Sequence, residues 1–515
     1  SQTSDFFKKN SDKINELLKN IRICDPAVGS GAFPVSMMQV VVKLRKFIKI
    51  INNQNNNNLN YLLKFHFIKN NIYGVDIDKS AVEIAKLRLW LSLTLDEENY
   101  EKISTLPNLD YKILQGNSLF DDFGVNFLSS KNSQLSLDNS SSKKDELIEK
   151  YFQKIKEFDY LNNQIEKKEE REQINDILKK IILEEIESIK SFDKNNPLID
   201  QLINNLNDLD KKINDFFCWN IIFHKIFKKK GGFDIIIANP PYLRQEEIVK
   251  YKKRLNQKYK LFNSTSDLYT YFYELSFNLL KDKGTSVFIT SNKWMRAKYG
   301  KLLRSFFKKS VYLKEITNFG DLKIFENAIT NTNITIFDKF FSSNEKIIYT
   351  EFKEASRNEN ILNYFLNNNL KINKNSLDIE NFTFLDKANE KIKDKIESKS
   401  TQLGKLNYKI YYGLKTSFND GFVINKKDKE KIIKKSNLAK KFIKPLLRGR
   451  DIGKYNYKFN DQWIISIPSR WTNNNKNKEK GETFFKKNFS GILDHLIQCE
   501  NLSKSKRVNK KQKLK

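Results

Sequence analysis

The strongest constraint on the fold is an order that repeats in the first 120 residues: short apolar segment, polar or glycine-containing turn, helical segment. Residues 21–25 form an apolar segment that ends in an acid, and Gly29 and Gly31 follow it before an apolar helical segment. Residues 72–78 repeat this order and lead into a predicted helix from Ala81 to Leu93. Such alternation predicts a parallel α/β sheet, which binds ligands beyond the carboxyl ends of its strands.

Three of these strand ends carry residues suited to a nucleoside cofactor. Gly29 and Gly31 let a ligand approach the backbone without an intervening Cβ. Asp76 ends the second strand, where a carboxylate commonly binds ribose hydroxyls. Asn117 lies at the tip of the third strand, residues 111–118, where its amide can contact the edge of an adenine ring. The three sites together predict a cofactor that contains adenosine.

The most informative motif follows a fourth apolar strand, residues 233–238, and reads Asn239-Pro240-Pro241-Tyr242. The lone pair of a base amino group is delocalised into the ring, so the amine is a poor nucleophile. The Asn239 side-chain oxygen and the Pro240 carbonyl can each accept one amino hydrogen and so localise that lone pair. The two proline rings keep the acceptors rigid, and Tyr242 offers a face for an extruded base. The alternative interpretation is an ordinary proline-rich turn.

Four segments carry a family resemblance: D-P-A-V-G-S-G-A-F at 25–33, G-V-D-I-D at 74–78, Q-G-N-S-L at 115–119 and F-D-I-I-I-A-N-P-P-Y at 233–242. Together they resemble the gamma group of S-adenosylmethionine-dependent DNA adenine-N6 methyltransferases. More narrowly, they resemble the methylase portion of the single-chain type IIG restriction-modification enzymes, over most of the chain.

The resemblance implies roles for individual residues. It implies that S-adenosyl-L-methionine contacts Asp25, Pro26, Ala27, Gly29, Gly31, Asp76, Ile77, Asn117 and Asn239. In this set the acid and glycines of the first motif hold the methionine part, and relatives often carry Asp where Asn117 stands. The catalytic motif is Asn239, Pro240, Pro241 and Tyr242. The resemblance further implies that Phe325 grips the flipped base opposite Tyr242; the alternative is that Phe325 is a core residue.

The expected fold class is α/β, a Rossmann-like methyltransferase sheet with a helical insertion and a partial C-terminal target-recognition domain. The expected segments are the cofactor half of the core (1–125), the helical insertion (126–230), the catalytic half (231–340), a helical connector (341–400) and the partial recognition domain (401–515). The last residues, 502–515, are basic and are expected to be structureless. Because family members extend beyond both ends, the chain resembles a truncated family member.

The net charge of +31 favours a polyanionic partner, here double-stranded DNA. Lysine is abundant throughout the chain, together with Asn, Ile, Phe and Tyr, as codon bias in an AT-rich genome produces. Arginine is the more informative cation, and Arg448 and Arg450 form the densest arginine cluster near the C-terminus. We therefore predict that both contact DNA; the alternative is a solvated turn.

Three irregularly spaced cysteines argue against a disulfide or zinc framework. No apolar stretch reaches membrane-spanning length. We expect a cytoplasmic monomer without a membrane partner, whose methyl transfer requires no metal. Cytosine-C5 methylation is disfavoured, since no cysteine lies in a loop suited to a nucleophile. The E-x-K at 351–353 lies downstream of the methylase motifs and does not indicate a nuclease.

Two alternatives to a DNA adenine methyltransferase stay open at this point. The same tetrapeptide occurs in methyltransferases of RNA adenine and of protein glutamine, although those chains are usually shorter. The chain can also be a catalytically inactive DNA-binding remnant, which S-adenosylmethionine binding would distinguish from an enzyme.

Overall fold

The computed structural model describes residues 2–54, 58–95, 107–120, 140–158, 161, 163–192, 217–322, 324–325, 331–342, 346–353, 360–408, 413–414, 416, 418–468, 470–475 and 479–512. The chain divides into two compact units, Ser1–Lys399 and Ser400–Lys515. Among the described residues, no helix combines the length and apolar character needed to cross a membrane.

The strands of the first unit are β1 (Ile23–Asp25), β2 (Ile72–Asp76), β3 (Ile113–Gln115), β4 (Phe233–Ala238), β5 (Leu280–Ser291), β6 (Tyr312–Asn318), β7 (Thr332–Asp338), β8 (Lys346–Glu351) and β9 (Leu370–Asn373). Its described α-helices are α1 (Gln2–Asn20), α2 (Ala32–Ile51), α3 (Leu59–Asn70), α4 (Lys79–Thr94), α5 (Ser140–Phe158), α6 (Gln164–Phe192), α7 (Trp219–Ile222), α8 (His224–Lys230), α9 (Lys252–Lys258), α10 (Tyr269–Leu279), α11 (Lys301–Lys309), α12 (Ile361–Asn368) and α13 (Lys387–Lys399).

The nine strands form one sheet in the order β3-β2-β1-β4-β5-β7-β6-β8-β9. Strands β3, β2, β1, β4 and β5 run parallel, whereas β7 is antiparallel to both of its neighbours. From β1 the chain proceeds to β2 on one side, and β4 enters on the other side. The position between β1 and β4 is therefore the topological switch point at which such sheets bind ligands. This architecture confirms the predicted Rossmann-like α/β class.

Alternate residues of the central strands pack into two separate cores. Cys24 and Ile236 belong to one buried cluster, together with Trp219 and Phe233. Ile23, the neighbour of Cys24, belongs to a second cluster beneath the helices α2 to α4. Side chains of a strand alternate between its faces, so helices on both sides are needed to cover these strands. Burying each large apolar side chain contributes about 1.5–3 kcal/mol.

The acid of the Phe-Asp pair that begins β4 ties three elements together at the amino edge of the sheet. The Asp234 carboxylate accepts the Arg22 backbone N–H at 2.7 Å and pairs with Lys281 Nζ at 2.5 Å. These contacts fix β4 between β1 and β5. They lie at the edge opposite to the one that carries Asn239.

The described part of the helical insertion packs against the sheet domain. Helices α5 and α6 share a buried cluster that includes Tyr151 and Ile181 and extends to Cys218 in the chain segment before β4. Arg171 of α6 forms an ion pair with Asp110, which precedes β3, at 2.6 Å. Residues 126–139, 159–160, 162 and 193–216 of the predicted insertion lie outside the described residues.

The segment 341–400 is not the helical connector that its polar, Asn-rich sequence predicts. Strand β8 pairs in parallel with β6, and β9 pairs antiparallel with β8. Ile347 and Ile372 bury their side chains in the main core. Both strands are short, six and four residues, and lie in a segment that is polar over most of its length, so the sequence does not indicate them clearly. Among the described residues of this segment, the α-helices are α12 and α13, which are helical as expected.

The second unit contains a small antiparallel sheet of three strands in the order β10-β12-β11: β10 (Val423–Asn425), β11 (Ile443–Pro445) and β12 (Gln462–Ile465). Its helices are α14 (Asn419–Phe422), α15 (Lys426–Lys435), α16 (Trp471–Asn475), α17 (Gly481–Asn488) and α18 (Ser490–Gln512). Its core centres on Phe442, Phe489 and Ile492.

The basic segment 502–515 is predicted to be structureless, and this prediction is wrong for its described part. Its residues continue α18 as far as Gln512, and 513–515 lie outside the described residues. Lys, Arg, Gln and Leu are good helix formers. They extend a helix whose first turns are anchored by the buried Ile492.

Candidate functional site

Strand pairing brings together two motifs that lie more than 200 residues apart in the sequence. In the parallel β1–β4 pair, Ile23 lies opposite Ile235 and Cys24 opposite Ile236. The glycine turn after β1 and the loop that begins at Asn239 therefore leave the same carboxyl edge of the sheet on adjacent strands. Strand β2, which ends at Asp76, lies on the other side of β1. This edge holds the candidate site.

The glycine turn is held by its own hydrogen bonds. Ala27 N–H donates to Asp25 Oδ1 at 2.9 Å, and Gly29 N–H donates to Asp76 Oδ2 at 2.8 Å. Gly29 and Gly31 have φ values of 50° and 80°, which L side chains rarely adopt. A Cβ on Gly31 would lie 3.0 Å from Ala85 of α4, whereas a Cβ on Gly29 would meet nothing within 4 Å. Gly31 is thus a packing glycine and Gly29 borders open space.

Asp25 carries a buried oxygen without a partner. The residue is 1% exposed, and its Oδ2 makes no hydrogen bond in the described structure. The pKa of this carboxyl is raised to about 8. Burial is the main cause and the Asp76 charge adds to it, while the hydrogen bond from Ala27 N–H acts in the opposite direction. A cationic ligand group would satisfy the oxygen and favour its ionised form. The orphaned oxygen and the open space at Gly29 therefore fit the charged methionine part of S-adenosylmethionine.

Asp76 serves the protein backbone as well as any ligand. Its Oδ2 accepts the Gly29 N–H and its Oδ1 accepts the Asp78 N–H at 3.0 Å. Each carboxylate oxygen can accept a second hydrogen bond, so ribose hydroxyls can still be bound. The next residue, Ile77, is 63% exposed. An exposed isoleucine beside this acid suits the predicted contact with a planar ring.

The third motif is tied to the first. Ser118 Oγ donates to the Pro26 carbonyl at 2.6 Å. Asn117 Oδ1 accepts the backbone N–H groups of Leu119 at 3.2 Å and Phe120 at 3.3 Å. Because its oxygen already accepts two hydrogen bonds, the Asn117 amide NH₂ is the group left to donate to an adenine ring. Sequence reasoning did not identify Ser118, although its position directly after Asn117 was the available signal.

The four catalytic-motif residues differ in exposure. Asn239 and Pro241 are exposed, Pro240 is buried, and Tyr242 is half-buried. Within the described residues the Asn239 side chain makes no hydrogen bond, so its amide oxygen stays available to a substrate. Tyr242 OH donates to the Ile289 carbonyl of β5 at 3.1 Å, which fixes its ring beside the sheet edge. Burial raises the pKa of Tyr242 above its usual value.

A hydrogen-bonded chain supports the Tyr242 ring from behind. Tyr269 meets that ring edge to face, with centroids 6.1 Å apart. The hydroxyls of Tyr269 and Tyr299 lie 3.0 Å apart, and Tyr299 OH donates to Asp267 Oδ2 at 3.3 Å. Since Tyr299 gives its single proton to Asp267, Tyr269 must donate to Tyr299. No sequence signal pointed to this support, because its members come from separate elements.

Phe325 is half-buried in a bend between β6 and β7. Residues 323 and 326–330 around it lie outside the described residues. The contacts that fix Tyr242 are made by Ile289 and Tyr269, so the predicted pairing of Phe325 with Tyr242 stays a prediction.

The two arginines of the second unit differ in accessibility. Arg448 is half-buried, and its Nη2 donates to Gln462 Oε1 of β12 at 3.2 Å. Its backbone N–H donates to Asp451 Oδ2 at 2.8 Å. Hydrogen bonds from Arg448 and Asn460 help hold the pKa of Asp451 below its usual value. Arg450 is exposed. Arg450 is therefore the arginine better placed to meet a phosphate, whereas Arg448 also stabilises its own unit.

The geometry supports a specific kind of chemistry. One strand end offers a glycine turn and two acids for a nucleoside cofactor. The adjacent strand end offers an unpaired amide oxygen, a proline-defined backbone and a fixed aromatic ring. Placed side by side, they allow a group held at the first to be transferred to a planar amine held at the second.

Residues 70–325 match the family model described as Eco57I restriction-modification methylase. Type II restriction enzyme and methyltransferase RM.Eco57I from Escherichia coli is 26% identical over 427 residues, 78% of this chain and 33% of that protein. RM.MjaORFECS2P of Methanocaldococcus jannaschii, a candidate enzyme of the same description, is 30% identical over 383 residues, 64% of this chain and 31% of that protein. The chain thus spans about a third of the length of these relatives.

Among solved structures, the type IIL restriction-modification enzyme MmeI, determined in complex with DNA, matches 94% of this chain and 50% of its own. The TM-score is 0.50 at 13% sequence identity. At this identity the likeness concerns the fold alone, and it agrees with the Rossmann-like class.

Proposed function

Because the chain belongs to the Eco57I-type restriction-modification methylases, we propose that it transfers a methyl group from S-adenosylmethionine to adenine N6 in double-stranded DNA. The target adenine is flipped out of the duplex to reach the site. The reaction forms part of a restriction-modification system. Family membership confirms the predicted cofactor class, while the base, the atom and the flipping step are our proposal.

A single observation carries the choice of an amine substrate. At the end of β4, beside the glycine turn of β1, Asn239 presents an amide oxygen that has no partner among the described residues. An exocyclic amine that donates to this oxygen and to the Pro240 carbonyl has both of its hydrogens engaged. Its nitrogen lone pair then points away from these acceptors, toward the cofactor edge. Fixed acceptors of this kind stabilise the positive charge that develops on the nitrogen.

The cofactor edge supplies the remaining requirement. When bound, S-adenosylmethionine supplies an electrophilic methyl group. Asp25 would neutralise its charged methionine part, Asp76 would accept its ribose hydroxyls, and Ile77 and Asn117 would meet its adenine ring. The buried Pro240 keeps the catalytic loop in place, and the Tyr242 ring, held by Ile289 and Tyr269, offers the stacking face for the base.

DNA is the favoured polymer for two reasons. The matching relatives are described as restriction enzymes and methyltransferases, and the structure of MmeI contains DNA. The chain carries a net charge of +31, which suits a polyanion. Neither reason applies to a protein glutamine substrate. The two acceptors suit the exocyclic amines of adenine and cytosine alike. Adenine is proposed because the sequence motifs resemble those of the adenine-N6 methyltransferases, and methylation of cytosine N4 would be revealed by the same assay.

The test is transfer of a labelled methyl group from S-adenosylmethionine to DNA of a methylation-deficient host, followed by nucleoside analysis. We expect the label in N6-methyldeoxyadenosine. Sequencing of the modified DNA would then locate the methylated adenines within a recognition sequence.

Other outcomes select the alternatives. Label on RNA adenine, on protein glutamine or on a cytosine would contradict the proposal. Calorimetric binding of S-adenosylmethionine without any transfer would show that this length of chain is a cofactor-binding protein and not a complete enzyme.

A further inference from the structure

The segment after the catalytic loop, residues 243–268, forms a closed loop beside the site. Its ends meet, because Leu268 N–H donates to the Leu243 carbonyl at 2.9 Å. Leu243 directly follows Tyr242, so the closed loop starts and finishes at the catalytic motif. We refer to residues 243–268 as the post-catalytic loop.

The post-catalytic loop also reaches the cofactor edge. Tyr259 OH donates to the Leu119 carbonyl at 2.8 Å, and the ring of Tyr251 lies 5.4 Å from that of Phe120. Leu119 and Phe120 follow Asn117 after β3, which is separated from β4 in the sheet by β2 and β1. The loop thus lies along the carboxyl edge of the sheet, between the end of β4 and the end of β3.

The loop buries one side and exposes the other. Ile248, Leu255 and Tyr259 pack into the core and fix the loop. Two backbone N–H groups, those of Lys260 and Leu261, donate to the Glu274 carboxylate of α10 at 3.0 and 2.8 Å. With its inner side held in this way, the loop presents its outer side in a defined position.

The outer side is strongly basic. Residues 250–260 contain six Lys or Arg residues, at positions 250, 252, 253, 254, 258 and 260, and no Asp or Glu. Lys250, Lys253 and Arg254 are exposed and are three and four residues apart, which places them on one face. Within the described structure these three form no salt bridge to an acidic side chain. The Arg254 guanidinium lies 4.7 Å from the Phe120 ring centroid, so this side chain extends toward the segment that follows β3.

We propose that Lys250, Lys253 and Arg254 bind the phosphates of the DNA that flank the flipped base. The proposal rests on the proposed function, since it assumes that the loop before it receives a nucleotide. A base that enters at Tyr242 brings its backbone past the next residues of the chain. Exposed cations fixed beside that point can neutralise the adjacent phosphates and position the duplex without reading its sequence.

The chain offers a matched control at the opposite end of β4. Lys228 and Lys229 of α8 are exposed and precede β4, whereas Lys250 and Lys253 follow it. The control lysines therefore lie at the amino edge, away from the site. The test compares K250Q/K253Q with K228Q/K229Q, because each variant removes two positive charges and retains most of each side-chain stem.

DNA binding is measured by anisotropy of a labelled duplex over a series of salt concentrations. We expect K250Q/K253Q to bind DNA roughly tenfold more weakly, and the slope of log affinity against log salt to fall by about 2, since each phosphate contact contributes about 0.9. The control variant is expected to stay within about twofold of wild type. Calorimetry with S-adenosylmethionine, expected to be unchanged in both variants, shows that each is folded.

Each other outcome has a defined meaning. Equal losses in the two variants would show that only the overall charge matters, which overturns the assignment of the loop. Weaker S-adenosylmethionine binding in K250Q/K253Q with unchanged DNA affinity would make the loop part of the cofactor site instead. If the wild-type chain binds S-adenosylmethionine but no DNA, the proposed function itself fails, and the loop assignment fails with it.

Discussion

The glycine turn after β1 and the catalytic loop after β4 lie on adjacent strand ends, yet they are built in opposite ways. The turn satisfies its backbone with its own acids, as Asp25 accepts from Ala27 and Asp76 from Gly29. The catalytic loop leaves its central side chain, Asn239, exposed and without a hydrogen bond in the described structure. Its support comes from outside the motif, through Tyr242 and the strand beside it.

This difference separates the residues that hold the local fold from the residue that is proposed to act on the substrate. In the cofactor turn, the two acids that accept backbone N–H groups are also the acids proposed to bind the ligand. The amide of Asn239 makes no hydrogen bond among the described residues and is proposed to bind the substrate. A substitution in the turn should therefore disturb cofactor binding and local stability together, whereas a substitution at Asn239 should disturb only the transfer step.

The largest expected effect is that of Asn239→Ala. Without the amide oxygen, the amine loses one of its two fixed acceptors, and methyl transfer should fall on the order of a hundredfold or more. Affinity for S-adenosylmethionine and thermal stability should stay close to wild type. Labelled transfer, calorimetry and thermal unfolding measure the three quantities. An Asn239→Ala protein that remains active would end the proposed mechanism.

Asp76→Ala tests the other side of the comparison. The substitution removes acceptors from Gly29 and Asp78 in the protein and from the ribose of the cofactor. We expect S-adenosylmethionine binding to weaken by about 1.5–3 kcal/mol, accompanied by a lower melting temperature. Asp76→Asn keeps one acceptor oxygen, so its affinity for S-adenosylmethionine should lie between those of wild type and Asp76→Ala. Unchanged cofactor affinity in Asp76→Ala would remove this acid from the site.

Tyr242 separates stacking from hydrogen bonding within the catalytic loop. Tyr242→Ala removes the ring and should weaken capture of the flipped base by about 1–3 kcal/mol. Tyr242→Phe keeps the ring and loses only the bond to the Ile289 carbonyl, worth about 0.5–1.5 kcal/mol. The measurement is binding to DNA with a mismatched target base, and DNA that is abasic at the target, which offers no base to stack, is the control. Phe325→Ala should match Tyr242→Ala if Phe325 grips the other face; a wild-type value would identify Phe325 as a core residue.

Asp25 predicts a pH dependence that the catalytic loop lacks. Burial raises its pKa to about 8 in the free protein, and a cationic ligand would lower that pKa. Protons therefore compete with the ligand below pH 8, so affinity for S-adenosylmethionine should rise severalfold, roughly, from pH 6 to 8 and then level off. The cofactor's own amine also titrates in this range. Calorimetry should therefore compare wild type with Asp25→Asn, in which the protein's part of the pH dependence is expected to vanish.

The same group has an effect on stability without ligand. The folded-state pKa of Asp25 lies above the unfolded value, so the folded protein holds a proton that the unfolded chain releases. Its contribution to stability is fully present below the unfolded pKa of 3.8 and is lost as pH rises toward 8. Asp25→Asn should flatten this part of the stability profile.

The smallest expected effects lie in the second unit. Arg450→Ala should weaken DNA binding a fewfold and lower the salt slope by about 0.9, with no change in stability. Arg448→Ala should also lower the melting temperature of this unit, because it loses the bond to Gln462. Anisotropy and thermal unfolding distinguish the two. Equal DNA affinity in wild type and both variants would show that the arginine cluster is a solvated turn and not a DNA contact.

The sequence by itself determined the sheet class and supplied the predicted cofactor motifs and the predicted catalytic tetrapeptide. These follow from local rules: apolar segments of strand length, glycines where a side chain is excluded, and residues whose chemistry suits one task. The same rules gave the pairing of a nucleoside site with an amine-activating site. They missed β8 and β9, two short strands within the largely polar segment 341–400, and the helix at 502–512, a basic continuation of α18.

The tertiary structure alone decided how these parts meet. Only pairing of β1 with β4 shows that Asp25 and Asn239 leave adjacent strands. Only packing shows that an oxygen of Asp25 is buried without a partner, that Tyr269, Tyr299 and Asp267 support Tyr242, and that the post-catalytic loop reaches Phe120. Burial, pKa and hydrogen-bond partnership depend on atoms that are distant along the chain, and such atoms become neighbours only after the chain has folded.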